Sequence, residues 1–168
     1  ARTNLNVEQA DFVNMLQSST HALMAIITDL LDFTKLEAGK MKLEIIPFEA
    51  RSVCKGCLAA VAHQAEAKGL QINFTVASGI PVKLPADPNR SRQILLNMLS
   101  NALKFTDNGA IGMTATRLED DDKARVVLRF TVQDSGMGIS SKHSARIFNA
   151  YQQADASVSR NYGGTGLG

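Results

Sequence analysis

The chain is poor in cysteine, close to neutral, and without a long hydrophobic run, and each shortage removes a class of function. Its two cysteines, Cys54 and Cys57, have the Cys-x-x-Cys spacing of a redox pair or half a zinc site. They fall inside an apolar helical pattern with no second ligand pair, and His63 is the one nearby candidate ligand. Two packed or half-exposed thiols in a reducing compartment fit better. No apolar stretch reaches the roughly 18 residues of a membrane span, and no charged-then-apolar leader opens the chain. The expectation is a cytoplasmic module whose full protein reaches a membrane only through segments outside this chain. A formal charge of +2, with no basic run interleaved with aromatics, disfavours nucleic acid as a partner. Internal repeats and low-complexity tracts are lacking.

What is present is a 45% apolar fraction over 168 residues, enough for one globular domain or one domain with a helical appendage. Residues 7 to 38 read as a long helix. Asn6 with Gln9 forms a capping box at its start, and Gly39 with Lys40 ends it. Val13, Leu16, Leu23, Ile27 and Leu30 keep a heptad rhythm that Thr20 interrupts; Phe12, Met24, Ile26 and Leu31 widen the stripe. That width suits a bundle helix, although an ordinary core helix has a similar pattern. Residues 41 to 46 read as a strand closed by Pro47. A second helix follows over about 49 to 68, with Val53, Cys54, Cys57, Leu58, Val61 and Ala65 as its core face and Gly69 as its stop. Residues 71 to 76 alternate as a strand, and 80 to 86 are irregular or briefly extended. Asp87-Pro88 opens a third helix that runs to about Lys104. Residues 111 to 118 and the alternation Val126, Leu128, Phe130, Val132 predict two more strands. The polar segment from Gly138 to Gly163 reads as a lid.

Three motifs in fixed order carry the chemistry. On the third helix Asn97, Asn101 and Lys104 sit at i, i+4 and i+7 and share one face, with Arg90 and Gln93 a turn or two earlier. Ile94, Leu95, Met98, Leu99 and Ala102 are assigned to the core. A solvated face normally carries Glu and Lys, not two amides. An amide oxygen is a hard ligand suited to magnesium, and Lys104 would neutralise phosphate as a point charge. Asp134 continues the even-numbered face of its strand and is expected to point inward, where a donor such as an adenine amine would satisfy it. Gly136 and Gly138 would let backbone approach the base, although a simple Asp-x-Gly turn has the same letters. Gly163-Gly164-Thr165-Gly166-Leu167-Gly168 offers backbone N–H groups to phosphate, or is a flexible tail. It is neither a Walker loop nor a dinucleotide fingerprint.

Together these motifs resemble those of the sensor histidine kinases. Asn97 to Lys104 is similar to the family's N box, Asp134 to Gly138 to its G1 box, and Gly164 to Gly168 to its G2 box. Phe148 and Tyr151, in Arg146-Ile-Phe-Asn-Ala-Tyr-Gln-Gln-Ala-Asp155, resemble its F box. Asp29 to Lys40 resembles the end of the second helix of the dimerisation and histidine-phosphotransfer domain, and Asp87 to Gln93 the lead into the N box. The wording is closest to hybrid kinases that carry receiver domains. The resemblance implies an α+β, Bergerat-type (histidine kinase/gyrase-like) two-layer α/β sandwich with an N-terminal bundle helix. Residues 1–40 would be the bundle helix and 41–168 the catalytic ATP-binding domain. ATP and Mg2+ are the implied cofactors, with Asn101 on the metal and Asn97, Asn101 and Lys104 as the catalytic set. Nucleotide contacts would come from these three and from Asp134, Gly136, Gly138, Ile139, Phe148, Tyr151, Gly164, Thr165, Gly166, Leu167 and Gly168. The implied partners are a second copy, through the bundle helix, and the receiver domain of a response regulator.

Within this superfamily gyrase-like and chaperone-like ATPases place a glutamate base where Asn97 stands. An amide cannot accept a proton from water, so hydrolysis is expected to be slow and the phosphoryl group kept for a better nucleophile. The family's acceptor lies in a His-Glu-x-Arg-Thr-Pro setting, and none of His21, His63 and His143 has it. Family members also continue past the G2 box with a helix and two strands, so the chain is expected to be a fragment lacking the acceptor. A nucleotide-binding pseudokinase or receptor output module is the alternative reading.

Overall fold

The computed structural model describes residues 5–120 and 125–140. The described residues divide into two units, one up to residue 42 and one from residue 43 onward. The first unit contributes helix α1 (Val7–Glu37). Both halves of the capping box form. Gln9 N–H donates to Asn6 Oδ1 at 2.8 Å, and Asn6 N–H donates to Gln9 Oε1 at 3.1 Å. At the far end Gly39 takes φ +62°, and Lys40 N–H donates to Lys35 O at 2.9 Å. This reversed turn satisfies carbonyls the helix leaves unpaired. The apolar stripe is exposed along its length, with Leu16 at 66% and Leu23 at 57%.

The second unit holds β1 (Ile46–Phe48), α2 (Ala50–Ala67), β2 (Gln71–Val76), β3 (Leu84–Ala86), α3 (Pro88–Phe105), β4 (Ala110–Leu118) and β5 (Val127–Asp134). Strand β1 corrects the expectation of a strand at 41–46 closed by Pro47. Pro47 lies in the middle of β1 and faces Pro85 of β3 in an antiparallel pair. Antiparallel partners alternate between bonded and non-bonded positions, and two prolines opposite each other occupy a non-bonded one, where no N–H is needed.

The main sheet has the order β2-β4-β5, with β2 parallel and β5 antiparallel to β4. Register places Ile72, Phe74 and Val76 beside Ile111, Met113 and Ala115, and these beside Asp134, Val132 and Phe130. This face receives α2 and α3, which gives the expected two-layer α/β arrangement. Val53, Cys54, Cys57, Leu58, Val61 and Ala65 of α2 meet Leu95, Leu99, Ala102 and Leu103 of α3 in one core with Ile111 and Met113. Both thiols are buried, and burial pushes Cys54 up to about 11 and raises Cys57, so neither is a ready thiolate at neutral pH.

On α3 the buried stripe is Leu95, Leu99, Ala102 and Leu103. Ile94 is 61% and Met98 38% exposed, which corrects their assignment to the core. Both lie about a quarter turn round the helix from that stripe, on the side of Asn97 and Asn101.

Asp87 starts α3. Its Oδ1 accepts from Asn89 N–H at 2.9 Å and Arg90 N–H at 3.0 Å, and its Oδ2 accepts from Glu44 N–H at 3.0 Å. One carboxylate thus caps the helix and ties the segment before β1 to it. These backbone donors, Arg90 and Glu44 foremost, hold Asp87 below the ordinary carboxylate range.

Two outcomes follow for stability. Leu99→Ala, at a fully buried site, lowers unfolding free energy by about 2–5 kcal/mol in denaturant titration, whereas Met98→Ala costs under about 1 kcal/mol. Equal costs would contradict the assigned faces. Because the native Asp87 pKa is depressed, its ionised contribution is present above about pH 4 and is lost as pH falls through the lower native value. The stability gap between the parent and Asp87→Asn therefore narrows in acid. A gap constant from neutral pH to the acid transition contradicts the cap.

Candidate functional site

Asn97, Asn101 and Lys104 lie on the last two turns of α3, with Asn101 exposed and the other two half-buried. The helix is aimed by its buried face and by the Asp87 cap, so the amides project from the side facing away from the sheet core. Upstream on the same side, Arg90 Nη1 donates to Gln93 Oε1 at 2.7 Å, which fixes the guanidinium along the helix. Lys104 Nζ lies 5.0 Å from the centroid of the Phe105 ring, within cation–π range.

Asp134 ends β5, directly opposite Ile111. It lies in the row Ile72–Ile111–Asp134 on the helix-facing side, as its even number predicts. The carboxylate is exposed, however, and not pointed into the core. Asp134 is the last residue of β5, so the helices that cover Phe130 and Val132 do not cover it. Gly136 N–H donates to Asp134 Oδ1 at 2.9 Å, an Asx-turn that orients the carboxylate.

The two motifs meet at one atom. A Cβ on Gly136 would collide with the carbonyl oxygen of Phe105 and stand 2.9 Å from Asp134 Oδ1. Met137 N–H donates to that same carbonyl at 3.4 Å. Gly136 is therefore a packing requirement, because only hydrogen fits where the β5 exit crosses the end of α3. Gly138 differs: its φ is +71° and nothing lies within 4 Å of its would-be Cβ, so its need is conformational. Ile139 is 60% exposed beyond it.

Ser135 locks the other side of the turn. Its Oγ accepts from Ala110 N–H at 3.0 Å and lies 3.2 Å from Asn108 O, and Gly109 at φ +113° leaves room for it. The serine gave no signal in the sequence beyond its place in the motif. Phe148, Tyr151, Gly164, Thr165, Gly166, Leu167 and Gly168 lie outside the described residues. Among the described residues no group of three His, Cys, Asp or Glu could hold a metal ion, and no helix is long and apolar enough to cross a membrane.

Residues 86–168 match the family of histidine kinase-, DNA gyrase B- and HSP90-like ATPases. The chain is 41% identical over 167 residues to the signal transduction histidine-protein kinase BarA of Escherichia coli, covering 99% of this chain and 18% of BarA. Among solved structures, full-length ShkA in complex with AMPPNP is 34% identical with a TM-score of 0.75, over 98% of this chain and 33% of that one. The histidine kinase ThkA, solved in complex with the response regulator protein TrrA, shares the fold at 19% identity and a TM-score of 0.59, over 90% of this chain and 42% of that one. The chain thus spans under a fifth of the length of the curated relative it matches. Residues 86–168 belong to the histidine kinase-, DNA gyrase B- and HSP90-like ATPases, and over nearly its whole length the chain is similar to sensor histidine kinases.

Proposed function

We propose that this core holds ATP at the corner where α3 meets the β5 exit and delivers the γ-phosphoryl to a histidine on a partner helix of the bundle. The observation that carries the reading is the shared Phe105 carbonyl, which places the Asn97–Lys104 face and the Asp134 turn beside each other. Asp134 accepts from the adenine amine, with one oxygen already oriented by Gly136 N–H. The exposure of Asp134 favours this role, since a carboxylate sealed in the core could not meet a ligand.

Asn101 contributes one hard oxygen to magnesium, and Asn97 and Lys104 serve the phosphates. Magnesium keeps several waters and is commonly bound through few protein groups together with substrate phosphates, so one protein amide is a sufficient donor set although the described residues hold no carboxylate cluster. The ion supplies charge neutralisation across the phosphates. The chain's own task is to hold the chain of phosphates in line and to leave water without a base. With an amide at position 97 no side chain there accepts water's proton, which favours transfer over hydrolysis.

Residues 1–40 act as the second helix of the dimerisation domain and 41–168 as the catalytic domain. The exposed stripe on α1 supports pairing with bundle helices of the same and a second copy. The receiver domain of a response regulator takes the phosphoryl onward, as the ThkA–TrrA complex suggests by its composition.

Two measurements test this. Asp134→Asn lowers ATP affinity at least about tenfold in calorimetry, the worth of one charged hydrogen bond. Unchanged affinity rejects Asp134 as the adenine reader. Incubation of the core with γ-labelled ATP and a separately supplied acceptor helix puts acid-labile label on that helix, with little free phosphate. Bound ATP without label on the helix favours a pseudokinase, and steady phosphate release an ATPase.

A further inference from the structure

The last four carbonyls of a helix have no partner within it, and its C-terminus carries about half a negative charge. In α3 these are the carbonyls of Leu103, Lys104, Phe105 and the cap residue Thr106. That end bears Asn101 and Lys104, and on the function proposed above it stands beside a polyphosphate. A helix C-terminus is the wrong pole for an anion, so something must offset it.

Lys68 does so from the neighbouring helix. Its Nζ donates to Leu103 O at 2.7 Å and to Thr106 O at 3.2 Å, and lies 4.0 Å from Asp107 Oδ1. Met137 N–H occupies Phe105 O in turn, so the carbonyls of Leu103, Phe105 and Thr106 all have donors. The lysine is itself held firmly. It is the cap residue of α2, followed by Gly69 at φ +68°. Gly69 N–H donates to Glu66 O and Leu70 N–H to Ala65 O, both at 2.9 Å, and Leu70 is buried in the core. This paired reversal, with its apolar anchor, fixes the backbone from which Lys68 reaches α3.

We propose that Lys68 is a positioning residue of the nucleotide site: its ammonium clamps the last turn of α3 and cancels the helix pole that would repel the phosphates. It acts through Asn101 and Lys104 and does not touch the nucleotide. The inference rests on the ATP site proposed above. A plain structural cap would lower the unfolding temperature and leave the affinity of the folded protein alone.

The test is calorimetric binding of magnesium–AMPPNP and of adenosine to the full chain, well below each variant's unfolding temperature. Lys68→Met weakens AMPPNP binding roughly tenfold and adenosine binding less than about twofold, and Lys68→Arg, which keeps charge and donors, restores most of the loss. Should Lys68→Met fail to fold, Lys68→Gln keeps a donor without charge and shows the same selective loss. Parental AMPPNP affinity in the neutral variants, or equal loss of both ligands, overturns the proposal. Failure of the parent to bind AMPPNP instead rejects the site itself.

Discussion

The site depends on one crowded crossing, where the carbonyl of Phe105 at the end of α3 meets the backbone of Gly136 and Met137 leaving β5. Everything upstream serves to bring these two segments together. The Asp87 cap starts α3 at a fixed point, and Leu95, Leu99, Ala102 and Leu103 press it onto the sheet. The register of β4 with β5 then delivers Asp134 opposite Ile111, at the level of the helix end. A side chain at Gly136 would push these elements apart, so the glycine is demanded by packing before any ligand is considered.

The same crossing explains the division of labour. Amides and an ammonium lie along the helix, where their spacing of four and three residues aligns them on one face. The carboxylate lies on the strand, where an Asx-turn orients it. On the proposed function, oxygen donors for a cation, a positive charge for phosphate and an acceptor for a base amine are thereby carried on two rigid elements. The helix end is also the place where electrostatics runs against phosphate binding, and there an ammonium from α2 sits on the carbonyls.

Much of this was legible in the letters. Asn6 with Gln9, Gly39, Gly69 and Asp87-Pro88 mark helix ends because each satisfies a specific set of backbone groups, and all four occupy those places. The core face of α2 followed from its period. What was not legible depends on distance between segments far apart in sequence. Pro47 closes a strand in isolation but sits inside one when Pro85 faces it. Ile94 and Met98 are apolar, yet only the orientation of α3 on the sheet decides which apolar positions are covered. Asp134 falls in the helix-facing row as its even number predicts, but its carboxylate is exposed and not inward, because it stands at the very end of β5. Lys68 gave no signal, since a lysine near a helix end is ordinary until α3 is seen beside it.

On the proposed function the helix face and the strand-end turn form one nucleotide site. Amide hydrogen exchange, read residue by residue with and without magnesium–AMPPNP, tests it most directly. Protection rises together, over the same range of ligand concentration, at 97–106 and at 134–138. The small sheet of β1 and β3 should not respond. Protection confined to one of the two segments, or centred on β1 and β3, would contradict it.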